Sequence, residues 1–420
     1  MSDIRPFRGI RPVPDHAPEV AAPPYDVVDY DEARAYVEDK PHSFLRVEKS
    51  EIELDRSLDP HDPKIFENGA KNLKALLDEG LMIRDRRPCL YLYQQRMGEH
   101  VQVGVVAGAS VDEYQRDLIK KHEHTRADKE EERTRHVDLV GANTGPVFLT
   151  YHARPEIDAF VDSIRGDREP DVDFYSEDGI GHTLWVVSDA AEVQKLQELY
   201  ARVPHLYVAD GHHRSAAASR VQASRKAKNP GHTGEEAYNH FLTVIFPHDQ
   251  MRILEYNRVV LDLNGKTPEE LRQAVGDKFE LTDADAAAPT EPKTFGMYLP
   301  TEAGGAYRWY RLRAREGSFP ADDPVGSLDV AILQDNLLGP ILGIGDPRTD
   351  KRIQFVGGIR GTGELEKRAE KHGGVAFAMV PTSIEQLIAI ADAGKVMPPK
   401  STWFEPKLRS GMVVRSINDD

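Results

Sequence analysis

The chain has 420 residues, 40% apolar and 30% charged, a composition typical of a globular protein with two or perhaps three domains. Its net charge of −16 argues against non-specific DNA binding, so we expect no nucleic-acid partner. The single cysteine, Cys89, excludes an internal disulfide, and neither a membrane-span-length apolar run nor a signal-peptide pattern is present, so a cytoplasmic location without a membrane partner is expected.

The first 30 residues are rich in proline, which excludes a long helix there. Within this segment the apolar residues Ile4, Phe7, Ile10 and Val13 recur every three positions. A free tail would have no reason to carry such a repeat. The pattern therefore predicts an extended arm that is pinned to a domain.

Beyond this arm, helix and strand signals alternate along the chain. In order, the pattern predicts a helix over 63–79, a hairpin turning at 97–99, a strand over 145–151, a helix from Pro155, a hairpin around 177–179, a helix over 189–201, a strand ending at Asp210 and a helix from Ser215. The runs 241–247 and 251–263 are expected to pair as strands. Further helices are predicted near 327–338, 363–372 and 382–393. We interpret the chain as two regions, 1–264 and 265–420, of mixed α/β or α+β class.

The stretch PHLYVADGHHRSAAASR contains the strongest signal for chemistry. A strand-like run ends at a tight turn and a helix follows, so the N–H groups of the first helical turn face open space and attract anions. Arg214 adds a guanidinium suited to phosphate oxygens. Asp210 can cap the helix, bind a cation or accept a proton. We predict a phosphate site, rather than a simple capped turn, formed by Gly211, His212, His213 and Arg214.

A second cluster, LIKKHEHT, precedes a densely charged run. Opposite charges four residues apart predict a solvated helix over 126–136. This helix does not explain why a glutamate, Glu123, lies between two histidines just before it. Glu123 is the candidate general base for a hydroxyl proton, with His122 and His124 as candidate substrate-site residues. Together with His212 these histidines can also ligate zinc or iron, but their spacing matches no strong metal motif, so we predict no resident metal.

The third unusual segment is VMPPKSTWFEPKLRSG, residues 396–411. An anionic site can be lined by Lys400, Ser401, Thr402 and Lys407. An equally good interpretation is a C-terminal turn that packs Trp403 and Phe404 onto the core. We keep Lys400 as a candidate substrate-site residue. Neither a serine-nucleophile elbow nor a P-loop motif occurs in the sequence.

These motifs occur in an order, IRPFRGIRP…PPYDVV, KHEHT, ADGHHR and MPPKSTWFEPK, that resembles the family catalogued as domain of unknown function 1015. The resemblance extends from Ile4 to about Met412. The DGHHR turn also resembles the ParB/sulfiredoxin-like fold, whose members bind nucleotide phosphates at such a turn. Sulfiredoxins need a cysteine where His212 stands. ParB proteins are CTP-binding DNA clamps with a helix-turn-helix domain, which this acidic chain does not show.

Free serine kinases of that fold carry a similar turn and an upstream His-Glu pair whose glutamate is the base, which corresponds here to Glu123. This chain departs from them in its length and in Lys121, where a proline is expected.

The resemblance implies an α+β (mixed α/β) fold with a ParB/sulfiredoxin-like core, a proline-rich N-terminal arm and a C-terminal α/β extension. It implies a nucleotide-dependent phosphotransferase that acts on a small hydroxylated metabolite, such as free serine, with Mg²⁺ and ADP or ATP. Glu123 and Asp210 are then the catalytic carboxylates. The alternatives are a non-catalytic nucleotide sensor and, after it, a ParB-like nucleic-acid-binding protein or a metal-dependent hydrolase. Assembly into a homo-oligomer is compatible with each of these.

Overall fold

The computed structural model describes residues 2–284 and 287–418. The strands are β1 (Ile4–Arg5), β2 (Ile10–Pro12), β3 (Met82–Arg84), β4 (Leu90–Met97), β5 (His100–Ser110), β6 (Ile119–Lys120), β7 (Ala142–Asn143), β8 (Val147–Tyr151), β9 (Val172–Tyr175), β10 (Gly181–Val187), β11 (Leu206–Asp210), β12 (His240–Pro247), β13 (Arg252–Leu254), β14 (Tyr256–Val260), β15 (Phe279–Asp283), β16 (Thr294–Pro300), β17 (Tyr307–Ala314), β18 (Ile353–Gly357), β19 (Val375–Ala378), β20 (Trp403–Glu405) and β21 (Arg415–Ser416).

The helices are α1 (Ala17–Val20), α2 (Tyr30–Tyr36), α3 (Leu45–Glu48), α4 (Pro63–Asp78), α5 (Val111–Gln115), α6 (Ala127–Val140), α7 (Pro155–Gly166), α8 (Ala190–Tyr200), α9 (His212–Lys228), α10 (Pro268–Gly276), α11 (Asp329–Leu333), α12 (Gly361–His372) and α13 (Ile384–Asp392). Helices and strands alternate along the chain, so the mixed α/β prediction is confirmed. Within the described residues, none of these helices combines the length and the apolar character that a membrane crossing requires.

The chain divides into two compact units, and the first of them contains both the N-terminal and the C-terminal residues. The first unit comprises Met1–Met251 and Pro406–Asp420, and the second comprises Arg252–Glu405. These units do not coincide with the regions 1–264 and 265–420 proposed from the sequence. The second unit begins at Arg252, and residues 406–420 belong to the first unit.

The first unit is built on a mixed sheet with the strand order β6-β11-β8-β12-β5-β4-β10-β9, and β1 pairs with β5 at its side. Strand β11 pairs in parallel with β6 and antiparallel with β8. Strand β12 pairs in parallel with β8 and antiparallel with β5. The carboxyl ends of β6 and β11 therefore leave the sheet side by side, which brings the residues that follow them together.

Helices α7 and α8 contribute apolar side chains to the same core cluster as the strands of this sheet. The α7 residues Ile157, Val161 and Ile164 recur at helical spacing and are buried. Helix α8 begins where the Asp189 carboxylate accepts hydrogen bonds from two first-turn N–H groups, at 2.9 and 3.1 Å. Both helices therefore form for local reasons and are held by burial of one face.

The N-terminal arm is extended at its start and pinned to the first unit, as predicted. Ile4 pairs with Ala109 of β5, and Ile10 forms a bridge with Val414 of the C-terminal segment. Ile10 and Val414 also share a second core cluster with residues of α2, α3 and α4. The arm and the returning C-terminus thus stabilise each other within this unit.

The second unit contains an antiparallel sheet with the order β15-β17-β16-β19-β14-β18. Helix α12 packs residues Leu365 and Ala369 into the core cluster formed with β14, β16, β18 and β19. The predicted pairing of 241–247 with 251–263 is wrong. In the structure β12 pairs with β5 and β8, whereas β14 pairs with β18 and β19, so both edges of each strand are hydrogen-bonded to partners that are distant in sequence.

Candidate functional site

The turn between β11 and α9 is shaped by Gly211. This residue has φ +96° and ψ 29°, a left-handed conformation that favours glycine. A Cβ atom placed on it would lie 3.3 Å from Val147 Cα of the neighbouring strand β8. Glycine is therefore required both by the backbone conformation and by the close approach of another strand.

The first turn of α9 lacks a side-chain cap from its N-cap residue. Gly211 occupies the N-cap position and has no side chain that could accept a hydrogen bond from the first turn. The Ser215 N–H donates to the Gly211 carbonyl at 3.0 Å, which is the first bond of the helical ladder. Helix α9 begins at His212 rather than at the predicted Ser215, so His212, His213 and Arg214 form its first turn. Such a turn attracts anions.

Asp210 is held ionised beside this turn. Its Oδ2 atom lies 2.8 Å from Lys407 Nζ, and its Oδ1 atom accepts a hydrogen bond from the Gly211 N–H at 2.8 Å. Burial alone would raise the pKa of Asp210, but the positive charges of Lys407 and then Arg214 outweigh it and hold the pKa below its usual range. Asp210 is therefore a carboxylate at neutral pH and a weak proton acceptor.

Arg214 is turned largely inward. Its guanidinium donates to the Pro146 carbonyl and makes a longer contact, 3.5 Å, with Asp26. Its charge centre lies 5.6 Å from the centroid of the Tyr25 ring. Burial would lower the pKa of Arg214, but Asp26 and Tyr25 raise it above its ordinary value. Arg214 therefore places a permanent positive charge in the first turn of α9.

A small cavity of about 20 Å³ lies behind Arg214, lined also by Tyr25, Glu48 and Arg133. Arg133 and Glu48 are both buried and form an ion pair at 3.2 Å there. This volume is near the minimum for one water molecule, so a phosphate does not fit. An anion at the α9 turn must therefore bind on the outer side, where His213 is partly exposed.

His122, Glu123 and His212 form a cluster of potential ligands next to Asp210. One ligand atom from each lies within 4.8 Å of the other two, and the rings of the two histidines meet edge to face with centroids 4.5 Å apart. Burial lowers the pKa of His122 to about 4, opposed by the Val208 backbone and the Asp210 charge. Burial, and then the proximity of His122, lowers the pKa of His212 well below its ordinary value. Both imidazoles are neutral at physiological pH.

The remaining predicted residues occupy different positions. His213 Nε2 accepts a hydrogen bond from the Arg126 backbone at 3.1 Å, which ties the 122–126 segment to α9. His124 is exposed, in contrast to His122. Lys400 belongs to the second unit, where its Nζ lies 5.6 Å from the Tyr256 ring centroid. Its role as a substrate-site residue stays a prediction.

The sequence indicated that Lys407 can line an anionic site but did not predict its contact with Asp210. This lysine lies 197 positions from Asp210 in the chain, yet its ammonium contacts that carboxylate. Its only signal in the sequence was its place in the segment 396–411, where it was considered together with Lys400.

A family model described as "Protein of unknown function (DUF1015)" matches residues 4–331 of this chain. No curated protein matches the sequence. Similar solved structures include a free serine kinase in complex with AMP, 13% identical, with 72% of this chain and 86% of that chain covered and a TM-score of 0.35. SbnI from Staphylococcus aureus, with a C-terminal truncation, is 13% identical, with coverages of 73% and 85% and a TM-score of 0.38. A conserved hypothetical protein from Pyrococcus furiosus is 13% identical, with coverages of 72% and 90% and a TM-score of 0.33.

Proposed function

The chain belongs to the DUF1015 family, and from the geometry of its site we propose that it is a nucleotide-dependent phosphotransferase with a small hydroxylated metabolite as acceptor. One observation carries this proposal: the glycine-capped N-terminus of α9 lies directly beside the Asp210–Lys407 ion pair. Backbone N–H donors at a helix start, a lysine and a carboxylate are the groups that phosphoryl transfer uses.

The nucleotide phosphates bind at the first turn of α9. The N–H groups of His212, His213 and Arg214 donate to phosphate oxygens, and the helix dipole favours the negative charge. Lys407 Nζ stands 2.8 Å from Asp210 and supplies a positive charge. Arg214 faces inward, so it reaches a phosphate on the outer side only by exchanging its 3.5 Å contact with Asp26 for a phosphate oxygen.

The chemistry is transfer of the terminal phosphoryl group. The acceptor oxygen attacks that phosphorus, one P–O bond forms, and the bond to the bridging oxygen breaks to release a nucleotide shorter by one phosphate. Glu123 takes the hydroxyl proton, because the charges of Lys407 and Arg214 make Asp210 a weak base. Asp210 positions Lys407 instead.

ADP or ATP is the proposed donor, and free serine is the proposed acceptor to test first, since the sequence motifs resemble those of free serine kinases. Mg²⁺ bound with the nucleotide would offset phosphate charge. The carboxylate of Asp210 is the kind of oxygen ligand that this ion prefers, which leaves Glu123 available as the base.

The direct test is product formation by the full chain. Protein with Mg²⁺ and ADP or ATP is incubated with a panel of hydroxylated metabolites that includes serine, and phosphomonoester products are followed by ³¹P NMR. The proposal expects one acceptor class to be phosphorylated. Nucleotide binding without product for any acceptor would support the alternative of a non-catalytic sensor that uses the same turn.

Glu123→Gln tests the base. Loss of a general base typically lowers turnover about 100-fold or more, and we expect the nucleotide Kd to stay unchanged because the amide keeps the shape of the side chain. Glu99→Gln, an exposed glutamate in the β4–β5 turn, is the matched control. Normal turnover in Glu123→Gln contradicts this assignment.

Arg214→Ala tests the phosphate site. Loss of a charge-assisted hydrogen bond, about 1.5–3 kcal/mol, corresponds to roughly 10- to 100-fold weaker nucleotide binding. Arg220→Ala removes the same charge from the same helix, at a partly exposed position that pairs with Glu131, and should bind as the unaltered protein does. Equal affinities of the two variants would exclude Arg214 from the site.

A further inference from the structure

Two buried imidazoles and a carboxylate meet where two parallel strands leave the sheet. His122 and Glu123 follow β6, and His212 follows β11, which pairs in parallel with β6. Because parallel strands end at the same edge, the side chains come together although they are distant in sequence. One ligand atom of each residue lies within 4.8 Å of the other two.

Within the described part of the chain, three imidazole nitrogens of this cluster are buried without a hydrogen bond of normal geometry, although the Val208 backbone lies near His122. His122 is 2% exposed and His212 is 6% exposed. Both ring nitrogens of His122 and Nε2 of His212 are buried, and none has a hydrogen-bond partner of normal geometry among the described residues. A buried unpaired polar group costs about 1–3 kcal/mol, and such groups are rare in folded proteins. A ligand from outside the chain would give these nitrogens a partner.

We infer that His122, Glu123 and His212 form a binding site for a divalent transition-metal ion, with Zn²⁺ the ion that best matches two imidazoles and one carboxylate. Zinc accepts nitrogen and carboxylate ligands together, and imidazole also suits Fe, Ni and Cu. Mg²⁺ and Ca²⁺ prefer sites made of oxygen atoms. Three protein ligands are the number found in catalytic zinc sites, where water or substrate takes the fourth position.

The spacing of the ligand atoms is close to that required. Ligands about 2.0–2.1 Å from a tetrahedral zinc lie about 3.3 Å apart. The three atoms lie at most 4.8 Å apart, so rotation of the side chains, Glu123 above all because it is only half-buried, brings them into range. His124, which follows Glu123 in the sequence, is exposed and is not part of the cluster.

This site shares Glu123 with the proposed phosphotransferase, but metal binding does not rest on that function. A bound ion engages the carboxylate to which the reaction assigns the hydroxyl proton. Zn²⁺ occupancy would therefore block proton transfer, and we expect Zn²⁺ to inhibit a reaction that proceeds with Mg²⁺ alone.

The test is a Co²⁺ titration of the full chain, stripped of metals with a chelator and free of nucleotide, followed by visible absorption. We expect the d–d bands of a four-coordinate nitrogen- and oxygen-ligated ion, saturating at one Co²⁺ per chain, and their loss when Zn²⁺ is added. Since no nucleotide is present, failure here is separate from failure of the phosphotransferase assay. Absence of saturable Co²⁺ binding would overturn the inference.

Variants locate the ion. His122→Asn and His212→Asn should each weaken Co²⁺ binding by more than the roughly 10- to 100-fold that loss of an outer-shell partner costs. His124→Ala, an exposed histidine two residues from His122, is the control and should bind normally. If the buried variants do not fold, Glu123→Gln, at a half-buried position, provides the same test. Binding that is lost in His124→Ala and kept in His212→Asn would show a surface site and contradict the inference.

Discussion

Replacement of Gly211 by alanine tests the shape of the α9 turn and, through it, the phosphate site. A non-glycine residue in the left-handed region costs roughly 1–2 kcal/mol. The added Cβ also lies 3.3 Å from Val147 Cα, and that backbone is held in place by pairing of Val147 with Thr243 of β12. Overpacking at an immobile neighbour costs about 1–3 kcal/mol. We expect Gly211→Ala to destabilise the protein by about 2–5 kcal/mol in total.

Gly234 is a matched control for the energetic cost of the left-handed backbone conformation. Its φ of +98° is nearly that of Gly211, but a Cβ on it would have no atom within 4 Å. Gly234→Ala should therefore cost only the roughly 1–2 kcal/mol of the left-handed conformation. Urea denaturation followed by circular dichroism measures both variants. The difference between them isolates the contact with Val147.

Nucleotide binding provides the functional readout of the same pair. Since the first-turn donors of α9 depend on the Gly211 conformation, Gly211→Ala should weaken the nucleotide Kd in an isothermal titration, and Gly234→Ala should not. Equal destabilisation by the two variants, or an unchanged Kd in Gly211→Ala, would refute the argument that Gly211 shapes a phosphate-binding turn.

Two further predictions concern charges in the first unit. Lys407→Met leaves the Asp210 carboxylate without its main partner, so the pKa of Asp210 should rise. The free energy of unfolding, measured by urea denaturation, should fall by about 1–3 kcal/mol. The double variant Lys407→Met/Asp210→Asn should recover most of this loss, and no recovery would contradict the pairing. Burial, and then the charge of Arg409, lowers the pKa of His182 to about 3. Below about pH 6.5 the unfolded chain therefore binds a proton at this histidine that the folded chain does not bind. The free energy of unfolding should decrease by about 2 kcal/mol as the pH is lowered from about 7 to about 5. His182→Gln should lack this contribution when unfolding is measured at both pH values, and an equal loss in both proteins would contradict the neutral, buried state of His182.

Local features of the fold were predictable from the sequence. Helix α4 was expected from apolar spacing and from a glycine stop, and Gly80 does adopt the left-handed φ of +75°. The β4–β5 hairpin turns at Gly98, also with positive φ. Short-range chemistry determines such elements, so short windows of sequence contain the information.

The start of α9 and the neighbours of β12 were not predicted correctly. Glycine in a left-handed conformation is not a common N-cap signal, so the sequence placed the helix start at Ser215 rather than at His212. Strand β12 was paired with the next run because it is adjacent in the chain. Its actual partners, β5 and β8, are distant in sequence and occupy the two edges of the strand.

The candidate site likewise combines features that the local sequence predicts with contacts between residues distant in sequence that it does not predict. Asp210 and Gly211 were predicted because a strand, a DG turn and a helix form one local unit. The contact of Lys407 with Asp210 was not predicted, because nothing local in the sequence relates the two residues. The contact between His122 and His212 depends on the parallel pairing of β6 and β11, and no spacing rule in the sequence encodes that pairing.

Backbone amide shifts give the most direct test of the central claim, that the first turn of α9 binds nucleotide phosphate. The ¹⁵N- and ²H-labelled full chain is titrated with ADP and Mg²⁺, and the amide signals are followed by TROSY spectra. We predict that the largest saturable shifts belong to His212, His213 and Arg214, and that these shifts are absent in Gly211→Ala. Saturable binding of ADP that leaves those amide signals unmoved would contradict the account.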